Sequence, residues 1–431
     1  LNRHSRAYRW NILALLASSQ AIAYIDRVNI AVVGPQLIKV YHYTPAQVGL
    51  LQSIFSWAYT FSLLAAGPLI DRMWPRRAYP LGVGTWSLAT ALCSLTKAFA
   101  PLAGFLTLLG IGESLLIPSG ARVIGETFDK KNRAFAVGTF FAGNKIGLTL
   151  GIPFASVVLV NWGWEWVFYT TGSLGLFWIL WWSVVYRPPA REDAPATRGE
   201  IQSQIRWTSL LQYPTTWGVM FGQAGYLYIY YVFATWLPGY LVLQRGLSAL
   251  TTGWVGMLPF LIGTVCVILG GWLGDRLIAA GRAVTLVRKG FACGGLLGAT
   301  VFTIAGAYTP DDVLAIAFLA LSVASVSFST AAVNSMPIDV APPHMVSSLA
   351  SLQNFGGNIG GSFAPLVTGL LISTSGDFTL PLLVAAGVAL VLGCGSYGLI
   401  VGNLDSELGK PTELRGGVDD RGHFRSLDQA E

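Results

Sequence analysis

Charge is what this sequence has least of. Only 11% of its 431 residues are Asp, Glu, Lys or Arg, where a soluble domain carries roughly a quarter. Such a chain cannot coat itself with water-loving side chains. A soluble globule, a disordered chain and a nucleic-acid binder are all excluded. Cysteine is scarce too: Cys93, Cys266, Cys293 and Cys394 are scattered through apolar stretches with no CxxC pair. That excludes a disulfide scaffold and reads as small packing residues. His4, His42, His344 and His423 have no helical ligand partner, so neither a metal site nor a cofactor is expected. The patterns HExxH, GxSxG with a paired His, and GxxxxGK[ST] are missing, which argues against a membrane hydrolase and against ATP hydrolysis. No loop is long enough for the soluble domain of a receptor. No cleavable leader is visible, and Leu rather than Met at position 1 implies that a few residues precede it.

What is there is apolar. Hydrophobic residues make up 53% of the chain, with 50 Gly, 15 Trp and 22 Phe, and the mean hydropathy is +0.57. A helix needs about 20 mostly apolar residues to cross a bilayer. Windows of that length predict twelve spans: 9–37, 46–69, 78–98, 102–126, 134–160, 166–186, 213–242, 250–273, 286–308, 312–336, 345–373 and 379–402. The net charge is +6, and the basic residues are placed unevenly. Arg3, Arg6 and Arg9, then Arg72, Arg76 and Arg77, then Lys130, Lys131 and Arg133 fall on one side. Arg187, Arg191, Arg198, Arg206, Arg276, Arg282, Arg288, Lys289 and the basic tail fall on that side as well. The other side has Lys39, Lys97 and Arg245. This asymmetry predicts that both termini are cytoplasmic.

The longest interior polar stretch starts at RPPAREDAPATRGE and reads as a linker. It divides the chain into a six-span half at 1–187, a linker at 188–212, a second six-span half at 213–402 and a solvated tail at 403–431. A repeat supports the division. Gly67-x-Leu69-x-Asp71-Arg72 follows span two, and Gly271-x-Leu273-x-Asp275-Arg276 follows span eight, at the matching place. Two copies at equivalent loops indicate duplicated halves.

With these residues the chain resembles the major facilitator superfamily, whose signature is GxLxDRxGRR between helices two and three. Here it reads GPLIDRMWPRR, with Trp74 and Pro75 in place of the usual Gly-Arg. The runs AYIDRVNIAV, FSWAYTFSLLAAGPLIDR, GIGESLLIPSGAR, FATWLPGYL and NFGGNIGGSFAP resemble its anion:cation symporter branch. That branch includes D-galactonate, glucarate and vesicular glutamate transporters. The resemblance implies an all-α membrane protein of twelve transmembrane helices in two pseudo-symmetric six-helix halves. It implies a multi-pass protein of the plasma (inner) membrane that works as a monomer on a small organic anion and protons.

Four charges sit near the middle of spans: Asp26 and Arg27 in the first, Glu113 in the fourth and Lys145 in the fifth. Unpaired, they would cost about 10 kcal/mol on insertion scales. They must pair, neutralise or face a watery cavity. One reading is a structural ion pair such as Arg27 with Glu113; the other is a substrate and proton pathway. A carboxylate shut away from water exchanges its proton nearer neutral pH than one in solution. An Arg keeps its charge and grips carboxylates with two prongs. In resembling symporters the positions of Asp26 and Glu113 are protonation sites, and that of Arg27 binds the substrate carboxylate. The branch usually has an Arg seven residues before the span-four Glu; here that residue is Leu106, followed by Thr107. Lys145 is expected to replace that cation. It would hold a second substrate oxygen or pair with Glu113 when the site is empty, unless it snorkels to the surface.

Tyr59, Asn144, Gln223, Tyr230, Asn354 and Asn358 are expected to complete the pocket, the last two sharing a helix face. Trp57 and Trp236 read as packing residues. The stripes Gly143–Gly147–Gly151 and Gly290–Gly294–Gly298 are expected to permit close helix contact. By the same resemblance Asp71, Arg72, Arg122, Asp275 and Arg276 gate the basic side. The whole predicts a proton-coupled symporter importing a sugar acid or aromatic carboxylate by alternating access, with an exporter or exchanger as the alternative.

Overall fold

The computed structural model describes residues 6–128, 130–187, 207–341 and 345–402. They form twelve α-helices: α1 (Arg6–Tyr41), α2 (Pro45–Cys93), α3 (Phe99–Glu113), α4 (Leu116–Thr127), α5 (Lys130–Trp162), α6 (Trp164–Val185), α7 (Pro214–Leu243), α8 (Ala249–Ala279), α9 (Val284–Tyr308), α10 (Asp312–Val340), α11 (Val346–Ser375) and α12 (Thr379–Val388). The last continues as a wider π-helical stretch over Ala389–Ile400. The tail and the linker as far as residue 206 lie outside the described residues.

Helices and spans do not correspond one to one. α2 carries spans two and three as two helical stretches joined across a kink. It starts at a capping box, in which Thr44 Oγ1 accepts from the Gln47 amide at 3.2 Å and Gln47 Oε1 accepts from the Thr44 amide at 2.9 Å. Its one interruption is Trp74, at φ 61° and ψ 152°. Span four, in contrast, is broken into α3 and α4. Pro118 explains the break: its ring crowds the carbonyl of Ser114 and offers it no N–H. The Ser114 hydroxyl bonds back to the Ile111 carbonyl at 2.7 Å.

Among the described residues ten helical stretches are long and apolar enough to cross a membrane. α1 is outside that set because Gln20, Asp26, Arg27 and Asn29 interrupt its apolar run. The second half of α2 is outside it because little apolar sequence remains between Arg77 and Cys93. These two complete twelve crossing segments. Their outer faces are apolar and uncovered, with Val184 79% and Leu399 89% exposed, which suits contact with lipid rather than water.

Close helix contacts assemble each half. A Cβ on Gly143 would run into the Ala17 carbonyl, and one on Gly147 into the Ala21 carbonyl, so α5 lies directly on α1. The second expected stripe is corrected. Gly290 and Gly294 face open space, and α9 meets α10 through Gly295, against the Ser325 carbonyl and Ser329. Gly298, the third residue of the expected stripe, does meet α10 at the Ser325 side chain, while Gly290 and Gly294 lie on the face away from it. Near the termini Tyr79, Trp178, Trp182 and Tyr186 form a buried ring column, with centroids 4.9, 5.1 and 4.1 Å apart in succession.

The two halves meet at the end remote from the termini. Gly49 on α2 abuts the Pro365 carbonyl of α11, and Gly369 abuts the Pro45 carbonyl. Ser53 Oγ accepts from the Leu366 amide at 3.1 Å. On the other flank Gly253 of α8 packs on Pro153 and Ser156 of α5. Trp57 and Trp236 serve this seal as packing residues: Trp57 meets the Phe363 ring at 5.3 Å, and Trp236 Nε1 donates to the Pro365 carbonyl at 3.0 Å.

Candidate functional site

Behind this seal lies a cavity of about 680 Å³, counting its mouth, between α1, α2, α3 and α5 of one half and α7 of the other. Its charged corner is built by α1 and α3. Glu113 is the last residue of α3 and is fully buried. The break that Pro118 imposes just after it leaves the carboxylate facing α1. Arg27 Nε donates to Glu113 Oε2 at 2.8 Å, and Nη2 lies 2.6 Å from the same oxygen. Glu113 Oε1 is buried and has no hydrogen-bond partner. Three rings surround the guanidinium: Tyr24 at 4.7 Å, Tyr59 at 4.9 Å and Phe55 at 5.2 Å. Aromatic faces stabilise a cation with their quadrupole, most strongly where water is scarce. Spacing explains the cage: Tyr24 precedes Arg27 by one helical turn, as Phe55 precedes Tyr59.

Asp26 is 3% exposed, and neither of its carboxylate oxygens has a hydrogen-bond partner. Beside it, the Thr171 hydroxyl is taken up by Asn29 Nδ2 at 2.7 Å and by the Val167 carbonyl at 3.0 Å. A buried carboxylate without a cation or donor is expensive in its charged form. The corner therefore holds one compensated pair, Arg27 with Glu113, and one uncompensated acid.

Across the cavity α7 presents Tyr230 and Tyr231, whose rings are 6.2 Å apart. The Lys145 amino group stands 5.3 Å from the Tyr230 ring centre, reaching from α5 to the opposite half. Leu148, one turn along α5, lines the cavity with Leu106 and Leu109. Lys145 makes no ion pair with Glu113; that part of the sequence expectation is corrected, because Arg27 is nearer and has taken the carboxylate.

The polar residues expected around the pocket separate into two groups. Tyr230 lines the cavity, and Tyr59 stands behind it against the Arg27 guanidinium. Asn144 has a buried, unpartnered Oδ1 on α5. Gln223 is turned away, accepting from Tyr397 Oη at 3.1 Å among α7, α11 and the π-helical stretch. Asn358 accepts from Tyr231 Oη at 3.2 Å, and its amide bonds the Asn354 carbonyl of its own helix. Asn354 does the same with Ala350 and is exposed, one turn toward the termini.

Residues 16–365 match the model of the Major Facilitator Superfamily. The chain belongs to that superfamily. The D-galactonate transporter of Escherichia coli O6:H1 is 30% identical over 418 residues, covering 92% of this chain and 96% of that protein. A probable L-galactonate transporter of Escherichia coli strain K12 is 29% identical over 388 residues, covering 87% and 86%. The fold is that of a bacterial homologue of the human lysosomal transporter Spinster, crystallised in an inward-facing, occupied conformation. That structure has a TM-score of 0.82 at 20% identity and covers 94% of this chain and 99% of its own. This protein is therefore a multi-pass membrane transporter, not an enzyme.

At the terminus end of the transporter, the two signature copies are held differently. The Asp71 side chain lies outside the described residues, and Arg72 is exposed. Arg122 on α4 bonds Glu126 Oε1 at 3.1 Å and stacks 4.6 Å over the Trp74 ring. Glu126 also accepts from Tyr186 Oη at 3.1 Å. In the second half Arg288 bridges Asp339 at 2.9 Å and the exposed Asp275 at 3.3 Å, while Arg276 stacks on Trp272 at 5.1 Å. Sequence reading passed over Tyr24, Phe55, Tyr231, Glu126 and Arg288. For the first two the signal was present, as aromatics one turn from residues already singled out. For Glu126 it was present too, four residues after Arg122 on one helix; for Arg288 there was none, because its partners come from other helices.

Proposed function

We propose that the protein is a proton-coupled symporter importing a small organic anion, with both termini in the cytoplasm and the chain in the inner membrane. The two halves at 1–187 and 213–402 would rock about the cavity, with 188–212 as linker and 403–431 as a free tail. Asp26 and Glu113 carry the protons. Arg27 takes the substrate carboxylate, with Tyr59, Tyr230, Asn144, Asn354 and Asn358 around it; Lys145 offers a second cation on the terminus side, and Gln223 braces α7 through Tyr397. Asp71, Arg72, Arg122, Asp275 and Arg276 hold the terminus end.

The observation that carries this reading is Arg27 bonded to Glu113 beside an unpartnered Asp26. A guanidinium serves one carboxylate at a time with full geometry. A proton taken up by Glu113 frees Arg27 for the carboxylate of the substrate. When that proton leaves on the other side, Glu113 reclaims Arg27 and displaces the substrate. Proton and anion thus move together, with Asp26 as the second acid beside the pair. The galactonate names of two relatives favour an acid as cargo.

The test begins with a thermal-shift series of carboxylates, including D-galactonate and benzoate, and continues with uptake into vesicles. Uptake should rise when the inside is alkaline. Asp26→Asn and Glu113→Gln should stop accumulation and keep exchange. Gradient-driven accumulation at the unaltered rate in both variants would refute the coupling scheme.

A further inference from the structure

Lys145 is half-buried in a membrane helix, and among the described residues it has no acidic partner. A lysine that merely snorkels would point its amine along its own helix to the surface. This amine instead lies over Tyr230 of the facing half, on a ring that lines the cavity. The ring stabilises the charge without neutralising it. Arg27, in contrast, is already neutralised by Glu113 in this conformation. Lys145 therefore stands beside the cavity wall, over Tyr230, as a cation without an acidic partner among the described residues.

The helix register separates the two cations. Gly143 and Gly147 sit on Ala17 and Ala21, so α1 and α5 run parallel and Lys145 stands level with Ser19. Arg27 lies roughly eight residues further from the termini, or about 12 Å at 1.5 Å per residue. Lys145 is thus on the terminus side of Arg27, away from the seal made by Gly49, Gly369 and Gly253. The adjacent tyrosines link the two depths: Tyr230 and Tyr231 are within electrostatic reach of Arg27, and Tyr226, one turn toward the termini, is within reach of Lys145.

We propose that Lys145 is a second anion-binding position on the terminus side of the cavity, which receives the substrate carboxylate when Glu113 displaces it from Arg27. The inference rests on the symport reading above and adds a step to it. Cargo leaves by passing from one cation to a second, unpaired one, rather than directly into water. The ligand class is any small carboxylate, because a lone ammonium with an aromatic neighbour selects charge and not hydroxyl pattern.

The experiment measures half-saturating concentrations of D-galactonate and benzoate in right-side-out and inside-out membrane vesicles. Lys145→Met should raise the value at the face bearing the termini by tenfold or more, and change the opposite face by less than twofold. Lys145→Arg should return it to within threefold of the unaltered protein. Arg27→Lys should weaken both faces. As a check that does not depend on a variant folding, lysines of the unaltered protein are methylated with ¹³C. The Lys145 resonance should shift when either probe is added. An equal change at both faces, no change at either, or a resonance that ignores both probes would overturn the proposal while leaving symport intact. If the unaltered protein takes up neither probe under a pH gradient, the symport reading for carboxylates fails, and this inference fails with it.

Discussion

The two halves share a fold but not a chemistry. The first half holds Asp26, Arg27, Glu113 and Lys145 inside its spans. The second keeps its charges at helix ends, as with Asp275, Arg288, Asp312 and Asp339, and fills its interior with neutral hydrogen bonds. There Tyr397 Oη donates to Gln223 Oε1, and Gln353 Nε2 donates to the Val333 carbonyl at 3.0 Å. A neutral network ties helices together without responding to protons or ions. A charged one changes state when a proton or an anion arrives. Under the proposed mechanism, switching falls to the first half and the rigid frame, with its aromatic wall, to the second.

The largest expected break of this contrast is Arg27→Met. It strands Glu113 as a buried, unpaired charge, at a cost of about 3–5 kcal/mol. Thermal unfolding of the purified protein should show the loss, and carboxylate uptake should vanish. Tyr397→Phe removes one donor from the neutral network and leaves Gln223 Oε1 wanting, at a cost of about 1–3 kcal/mol. Its uptake should stay within a few-fold. If Tyr397→Phe abolished transport while the protein remained folded, the second half would be more than a frame.

Smaller effects sharpen the contrast. Gly147→Ala drives a methyl into the Ala21 carbonyl and should cost about 1–3 kcal/mol, whereas Gly294→Ala enters open space and should stay within about 0.5 kcal/mol. Paired melting curves separate the two. The smallest change is expected from Trp74→Gly. At the matching turn of the second half the chain uses Gly281, at φ 86°. Trp74 adopts φ 61° with a side chain, which costs about 1–3 kcal/mol, and its ring contact with Arg122 repays about 0.5–2 kcal/mol. The net shift should therefore fall within about 1 kcal/mol. A larger stabilisation would mean that the ring contact contributes nothing.

Most of the architecture could be read in the sequence, because spans need long apolar runs and the GxLxDR copies mark the duplication. The charged corner could be read for the same reason: Asp26, Arg27 and Glu113 are too costly in a bilayer to be accidental. What could not be read was direction. The spacing that places Gly143 on α1 is the spacing that points Gly294 at open space, and nothing local distinguishes them. Gln223 has the polarity of a pocket residue, but its partner, Tyr397, is far along the chain. The broken fourth span follows from Pro118, while the direct kink that joins the second and third at Trp74 rests on a backbone conformation that L-residues seldom adopt.

The seam between α1 and α5 has one more consequence. Gly143 and Gly147 rest on carbonyl oxygens of the opposite backbone. Sliding one helix by a single residue would replace glycine with Asn144 or Ile146 at the contact, so the pair is locked in register. Arg27 and Lys145 are therefore fixed marks on one ruler, whatever the other half does. If the halves rock as proposed, the tyrosines of α7 shift relative to that scale, and their contact with Lys145 becomes the pointer that reads which way the transporter faces.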